Sequence, residues 1–270
     1  MNEAETISYF DRLAGEWTER YARSAHFRRR LETVLSWVEC EPSGCSVLDF
    51  GCGSGVMVRA LAQRGFSVTG VDASSGMIAA AQRYLCAAPL DGYRLEVIGG
   101  VNGEGEYRRA TYHGVLCVAV LEYVRNADAL LAQLAGLIDV GGFLILSVPN
   151  QTSLLRRLEW FLHRHRRFLH GAAALAGLAG SDSYLHLQTR QFTLHTVDEP
   201  LQALGFTLEN IRYQVSPSAL RALENHRRIG MNTLLKYRKL AHADQRLCSA
   251  ERERMKQLGC TTRTAAGNAV

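Results

Sequence analysis

Apolar positions near the start of the chain recur at helical spacing. Phe27, Leu31, Val34, Leu35 and Val38 fall on one side of a helix, and Arg28, Arg29 and Arg30 fall largely on the other. The pattern predicts a helical stretch over about 7–38, with the arginine run as a solvated face. Glu41-Pro42-Ser43-Gly44 ends it. From Ser46 the period changes. Short apolar runs closed by glycine or polar turns predict strands at 46–50, 66–71, 93–98, 112–120 and 142–148. Helical patterns lie between them at 56–64, 76–87 and 128–138. Such alternation implies right-handed crossovers and a mainly parallel α/β sheet. After Pro149 the order loosens into a basic amphipathic helix at 153–170 and an Ala/Gly-rich stretch at 171–180. A helix at 196–204 and strands at 206–213 and 229–237 follow. The expected organisation is a helical cap (1–40), a main domain (41–240) with a lid insertion at about 151–195, and a polar tail (241–270).

Composition narrows this picture. A chain of 270 residues with 47% hydrophobic content suits one α/β domain with extra elements. No apolar run reaches the ~18 residues that span a bilayer, and the acidic opening Met1-Asn2-Glu3-Ala4-Glu5 is unlike a secretory signal, so a cytoplasmic enzyme is expected. Seven cysteines stand at 40, 45, 52, 86, 117, 248 and 260 without repeating spacing. Cys40 and Cys45 flank a turn without the second pair or histidine of a zinc site, so reduced thiols and no metal are expected. The net charge is +5, and Lys236, Lys239 and Lys256 are the only lysines. An arginine bias of this kind reflects a GC-rich bacterial genome, and so small a charge does not demand nucleic acid.

One junction carries most of the chemistry. Val47-Leu48-Asp49-Phe50-Gly51-Cys52-Gly53-Ser54-Gly55 places three glycines at alternate positions between a strand and a helix. Glycine lets a ligand approach where a Cβ would stand, and the helix start offers free N–H groups. A phosphate-binding loop needs Gly-Lys-Ser/Thr, and no lysine stands here. A dinucleotide loop needs G-x-G-x-x-G, yet the sixth position is Val56. The alternating glycines with Asp49 at the strand end fit S-adenosylmethionine, whose ammonium Asp49 can meet. Asp72 ends the next strand about 20 residues on, where a carboxylate can accept from both ribose hydroxyls.

Four pieces in order extend this reading: VLDFGCGSG, GVDASSGMI, VLCVAVLEYV and VGGFLILSVPN. Across them, residues 47 to about 150 resemble class I methyltransferases, especially small-molecule enzymes similar to ubiquinone-pathway O-methyltransferases. The resemblance implies a three-layer, Rossmann-like sheet of seven strands, mainly parallel with the last strand antiparallel, and S-adenosylmethionine as cofactor. It implies cofactor contacts at Asp49, Gly51, Cys52, Gly53, Gly55, Asp72, Ala73, Met77 and Val118. The family's acidic residue after the third strand is missing, with Asn102 as the substitute. Two further departures are Tyr112-His113 for the usual Phe-Asp, and Glu122-Tyr123 for the usual Glu-His.

Methyl transfer leaves no obligatory catalytic motif, because alignment and water exclusion supply most of the rate. Acceptors bind beyond the carboxyl ends of the strands, near Glu122, Tyr123 and Asn150. The resemblance places lid segments at Tyr9–Tyr21 and around Tyr184 to Thr193. His186 is the first candidate for a base or orienting residue, then Tyr184, with Glu122 third. The helix at 153–170 has two readings. One is a peripheral membrane contact. The other, preferred, is a lid or homodimer helix with its apolar face packed inward and its arginines in solvent. The leading expectation is methyl transfer to a small organic acceptor, oxygen preferred. N- or C-transfer to a natural-product, lipid-like or quinone substrate, and non-catalytic cofactor binding, remain alternatives. The Asn/Asp-Pro-Pro-Tyr/Phe motif of nucleic-acid methylation is absent.

Overall fold

The computed structural model describes residues 3–87, 89–100, 103–164, 188, 190–215 and 218–241. The glycine-closed apolar runs become strands β1 (Ser46–Phe50), β2 (Ser67–Asp72), β3 (Tyr93–Val97), β4 (Tyr112–Val118) and β5 (Ile138–Pro149). With β6 (Phe206–Gln214) and β7 (Asn232–Lys239) they form one sheet of order β3-β2-β1-β4-β5-β7-β6. Strands β1 to β5 pair in parallel, and β7 runs antiparallel to both β5 and β6. The seven-stranded, mainly parallel architecture with an antiparallel last strand is therefore as expected. After β1 the chain builds outward through β2 and β3, then returns to place β4 on the other side of β1. That reversal opens a crevice at the carboxyl ends of the strands.

Near-continuous apolar runs arise because both faces of the sheet are covered. Alternate residues point to opposite layers. Val115 and Cys117 of β4 join Leu144 and Leu146 of β5 in one core, against α5 (Ala127–Gly136) and α7 (Leu194–Ala203). Leu116, Val118, Phe143 and Ile145 face the other core. There they meet α2 (Ala25–Val38), α3 (Val56–Ala62) and α4 (Ser75–Cys86).

The predicted helix over 7–38 is two helices. α1 (Glu3–Arg23) stops where Ser24 takes an extended backbone, and the Ser24 hydroxyl accepts from Phe27 N at 3.4 Å to cap α2. The break separates two environments. α2 is part of the core layer through Val34, Leu35 and Val38, whereas α1 packs on α4 at the rim. Asp11 holds it there, accepting from Ser74 Oγ at 2.5 Å and Gly76 N at 2.9 Å. Elsewhere the boundaries move by a few residues. β4 ends at Val118 because Ala119 turns into the left-handed region at φ 59°. β5 begins at Ile138, already paired with Tyr112, before a bulge between Tyr112 and Gly114.

The amino-terminal side of the sheet is fastened by a charge cluster. Glu41 accepts from Lys236 Nζ at 2.5 Å, from Arg238 at 2.6 and 2.9 Å, and pairs with His113 Nε2 at 3.1 Å. Burial alone would raise the Glu41 carboxyl, but these hydrogen bonds hold it down at about 2. His113, out of pattern at the head of the fourth strand, has a structural role here.

α6 (Leu154–Arg164) reverses the preferred expectation for its faces. Leu154, Leu158 and Phe161 are exposed, and Arg156 is buried. The reason is at its first turn. Arg156 donates to Met231 O at 3.3 Å and Asn232 Oδ1 at 2.8 Å, and pairs with Glu159 at 2.7 Å. A guanidinium with that many partners can be buried where an isolated one cannot. Among the described residues no helix is long and apolar enough to cross a membrane.

Candidate active site

The crevice predicted by the topology is a cleft lined by the end of β1, the glycine loop, the end of β2 and side chains of α1, α2 and α6. At one end lies the glycine loop. Gly51 has φ +77°, and a Cβ there would stand 2.4 Å from Val120 Cγ2. Gly53 has φ +54°, and its missing side chain leaves room under the Trp17 indole, 3.2 Å from where a Cβ would be. Asp72 ties the loop to β2, accepting from Gly53 N at 2.8 Å and Ser74 N at 2.9 Å. A carboxylate has about four lone-pair positions, so two such bonds leave others for a ligand.

Asp49 lies between loop and sheet, 3% exposed and opening onto the cleft. Burial first, and then the Asp72 charge, raise its carboxyl to about 7. Burial likewise raises Asp72. Two closely spaced acids at this end, both resisting ionisation, are poised to gain from a cationic ligand. A sulfonium with an ammonium supplies that charge, and the glycine surface supplies the close approach, so the residues fit the cofactor.

α1 roofs this end. Phe10 packs edge-on against Trp17 and Tyr123, with centroids 5.5 and 5.4 Å apart. The cleft is also lined by Tyr21 and Phe27, which reach Trp17 through the Phe27 ring, by Glu122 in the short 3-10 turn Leu121–Tyr123, and by Arg30, Arg156, Gln188 and Asn232. Burial pushes the Glu122 carboxyl up to about 7, against the pull of Arg30 and Arg156. Burial and the cations Arg30, Arg29 and Arg156 push His26 down to about 3, so its ring is neutral and accepts from Arg30 Nη2 at 2.9 Å.

A family described as methyltransferase domain matches residues 15–211 of the chain. The chain belongs to that methyltransferase family. The mitochondrial ubiquinone biosynthesis O-methyltransferase of Schizosaccharomyces pombe is 37% identical over 166 residues, covering 59% of this chain and 60% of that one. The ubiquinone biosynthesis O-methyltransferase of Xanthomonas axonopodis is 31% identical over 149 residues, covering 54% and 61%. The chain thus spans about three-fifths of the length of these curated relatives. Among solved structures, magnesium protoporphyrin IX methyltransferase from Synechocystis, with S-adenosylhomocysteine bound, aligns with TM-score 0.61 at 20% identity, covering 88% of this chain and 99% of that one. That likeness is one of fold.

Within this methyltransferase domain the expected residues separate into groups. Asp49, Gly51, Cys52, Gly53, Asp72, Ala73, Met77 and Val118 all line the cleft, and so does Glu122. Gly55 does not. A Cβ there would press on Ala81 and Leu85 at 3.0 Å, so this glycine serves the packing of α3 on α4. Asn150 is also elsewhere. Its amide donates to the carbonyls of Arg227 and Gly230, both at 2.7 Å, as a fastener of the 227–230 turn. Asn102, Tyr184 and His186 lie outside the described residues. Of the lid candidates, Phe10, Trp17 and Tyr21 reach the cleft.

The residues that sequence reasoning missed are Arg30, Arg156, Gln188 and Asn232. Arg30 overturns the expected solvated face most directly, since it is 7% exposed and turned into the cleft. The helical period of α2 marks one apolar side. It does not show that a second flank, His26, Arg30 and Thr33, is covered as well.

Proposed function

We propose that this chain transfers a methyl group from S-adenosylmethionine to a hydroxyl oxygen of a small organic acceptor. The observation that carries this reading is one cleft lined by the glycine loop, by Asp49 and Asp72, and by the buried Glu122. When bound, the cofactor would supply an electrophilic methyl group on a positively charged sulfur that is itself the leaving group. Asp49 would hold the ammonium and Asp72 the ribose hydroxyls, while Gly51 and Gly53 would give the backbone approach. Ala73, Met77 and Val118, which line the same cleft, would pack about the nucleoside. Trp17 and Phe10 of α1 exclude water from the transfer path. Glu122 takes the hydroxyl proton, its carboxyl held near neutral pH by burial. Support for oxygen as the acceptor comes from the O-methyltransferase names of the curated relatives.

The test is to incubate the full chain with S-adenosylmethionine and a panel of phenols, amines and carbon acids, and to quantify S-adenosylhomocysteine. Turnover with phenols is expected. Cofactor binding without product from any acceptor would leave a binding protein instead.

A second reading concerns how the acceptor arrives. The exposed Leu154, Leu158 and Phe161 stripe of α6 favours contact with a lipid surface. Sedimentation with anionic vesicles, lost in Leu158→Glu/Phe161→Glu, is the expected result.

A further inference from the structure

We infer that Gln188 is a specificity-determining residue for the methyl acceptor. Its carboxamide oxygen takes a hydrogen bond from an O–H or N–H group that the acceptor carries besides its reacting hydroxyl. The inference rests on the methyl-transfer reading of the cleft and narrows its substrate class to molecules with a second donor.

Gln188 lines the cleft and is 8% exposed. Its Oε1 is buried and has no hydrogen-bond partner among the described residues. Leaving a buried amide oxygen unmet is costly, and in native proteins such groups are nearly all paired. Two other polar side chains of the lining are engaged within the protein. Arg156 donates through Nε and Nη2 to Met231 O at 3.3 Å, through Nη2 to Asn232 Oδ1 at 2.8 Å, and through Nη1 to Glu159 at 2.7 Å. Asn232 in turn donates to the His26 ring at 3.2 Å. Gln188 is left to be completed by what enters the cleft.

The topology separates this residue from the nucleoside. Asp72 ends β2 and Ile98 follows β3, so the nucleoside side of the cleft lies on that flank of β1. Gln188 belongs to the other flank. Four residues on, Phe192 bridges to Asn150, donates to Pro149 O at 3.2 Å and accepts from Gln151 N at 2.8 Å, all at the end of β5. Arg190 adds an ion pair to Asp128 at 3.4 Å and lies over the Phe192 ring. β5 stands beyond β4, on the opposite side of β1 from β2, and Glu122 follows β4 on that same flank. A side chain anchored there meets the molecule that enters beside the cofactor. A carboxamide oxygen only accepts, so the group that matches it is a donor. A site that buries such an oxygen selects ligands that complete it and rejects those of the same shape that leave it unmet.

The experiment uses the full chain saturated with S-adenosylhomocysteine. Calorimetry measures binding of ortho- and meta-aminophenol against ortho- and meta-cresol, which have the same shape without the second donor. Native protein, Gln188→Met and Gln188→Glu are compared. Native protein is expected to prefer the aminophenol in at least one pair by about tenfold, the order of one hydrogen bond to an otherwise unmet buried group. Gln188→Met, of similar length but with no amide, is expected to abolish the preference. Gln188→Glu keeps an accepting oxygen and is expected to retain it, with S-adenosylhomocysteine affinity unchanged in both. Should Gln188→Met fail to fold, Gln188→Ala takes its place. Native protein that binds both members of each pair alike, or binds neither, overturns the inference and leaves methyl transfer standing. So does a Gln188→Met variant that keeps the preference, or one that weakens both members equally, as a packing role would. Failure of S-adenosylhomocysteine itself to bind overturns the reading beneath it.

Discussion

The two ends of the cleft are built in opposite ways. The donor end is assembled from neighbours in sequence, the end of β1 with the glycine loop after it and the end of the next strand. Its backbone does much of the work through Gly51, Gly53 and the N–H groups that Asp72 collects. The rest of the lining is assembled from side chains that meet only in the folded chain: Arg30 from α2, Glu122 from a 3-10 turn, Arg156 from α6 and Asn232 from β7. A contiguous backbone site can be held constant while a convergent side-chain site is changed residue by residue. This is how one fold serves many acceptors.

The sharpest test of this division is a pair of substitutions that act on one end each. Glu122→Gln is expected to lower turnover by about 10²–10⁴-fold, the usual range for a lost proton acceptor, and to leave S-adenosylhomocysteine affinity within about twofold. Calorimetry alongside steady-state rates checks both halves. Asp72→Ala is the mirror image. It removes the ribose partner and the acceptor for Gly53 N and Ser74 N, so S-adenosylhomocysteine affinity should fall about a hundredfold. A loss smaller than tenfold would break the assignment of the donor end.

Titration sharpens the same contrast. Asp49 is raised to about 7 in the free protein, whereas a bound ammonium favours its charged form. S-adenosylhomocysteine affinity should therefore rise about tenfold between pH 6 and pH 8, with proton release, and Asp49→Asn should flatten the profile. The consequence for stability has the opposite sign. The raised carboxyls of Asp49 and Glu122 contribute stability at low pH that is lost as pH rises from their unfolded values towards about 7. Glu41 does the reverse, contributing stability above its unfolded value that is lost as pH falls towards about 2. The smallest expected effect is at Ala119, whose left-handed backbone a glycine adopts without strain. Ala119→Gly should raise stability by about 0.5–1 kcal/mol in denaturant melts.

Legibility in the sequence follows the same line. The sheet, its order of strands and helices, and the donor loop were readable because each is written in local periods and contiguous glycines. The boundaries that shifted, at Ser24, Ala119 and Ile138, are set by one cap, one turn residue and one bulge. Arg30 and Arg156 were not readable as site residues. An arginine on the polar side of an amphipathic pattern has the same local signature in solvent as in a buried cleft. Only the approach of α6 and β7 decides which it is. His113 and Asn150 show the converse, since residues beside the motifs were drawn into fastening the frame through Glu41 and the 227–230 turn.

The break at Ser24 has a consequence for how such a protein diversifies. It divides one helical arm into two inheritable parts, α1 roofing the glycine loop and α2 in the core layer with Arg30 facing the cleft. The two parts stay in touch through Phe27, which packs on Trp17 and Tyr21. Mutations accumulating in residues 25–38 therefore reach the roof through that one ring, and a chain that keeps Phe27 can vary the rest of the helix surface without moving α1.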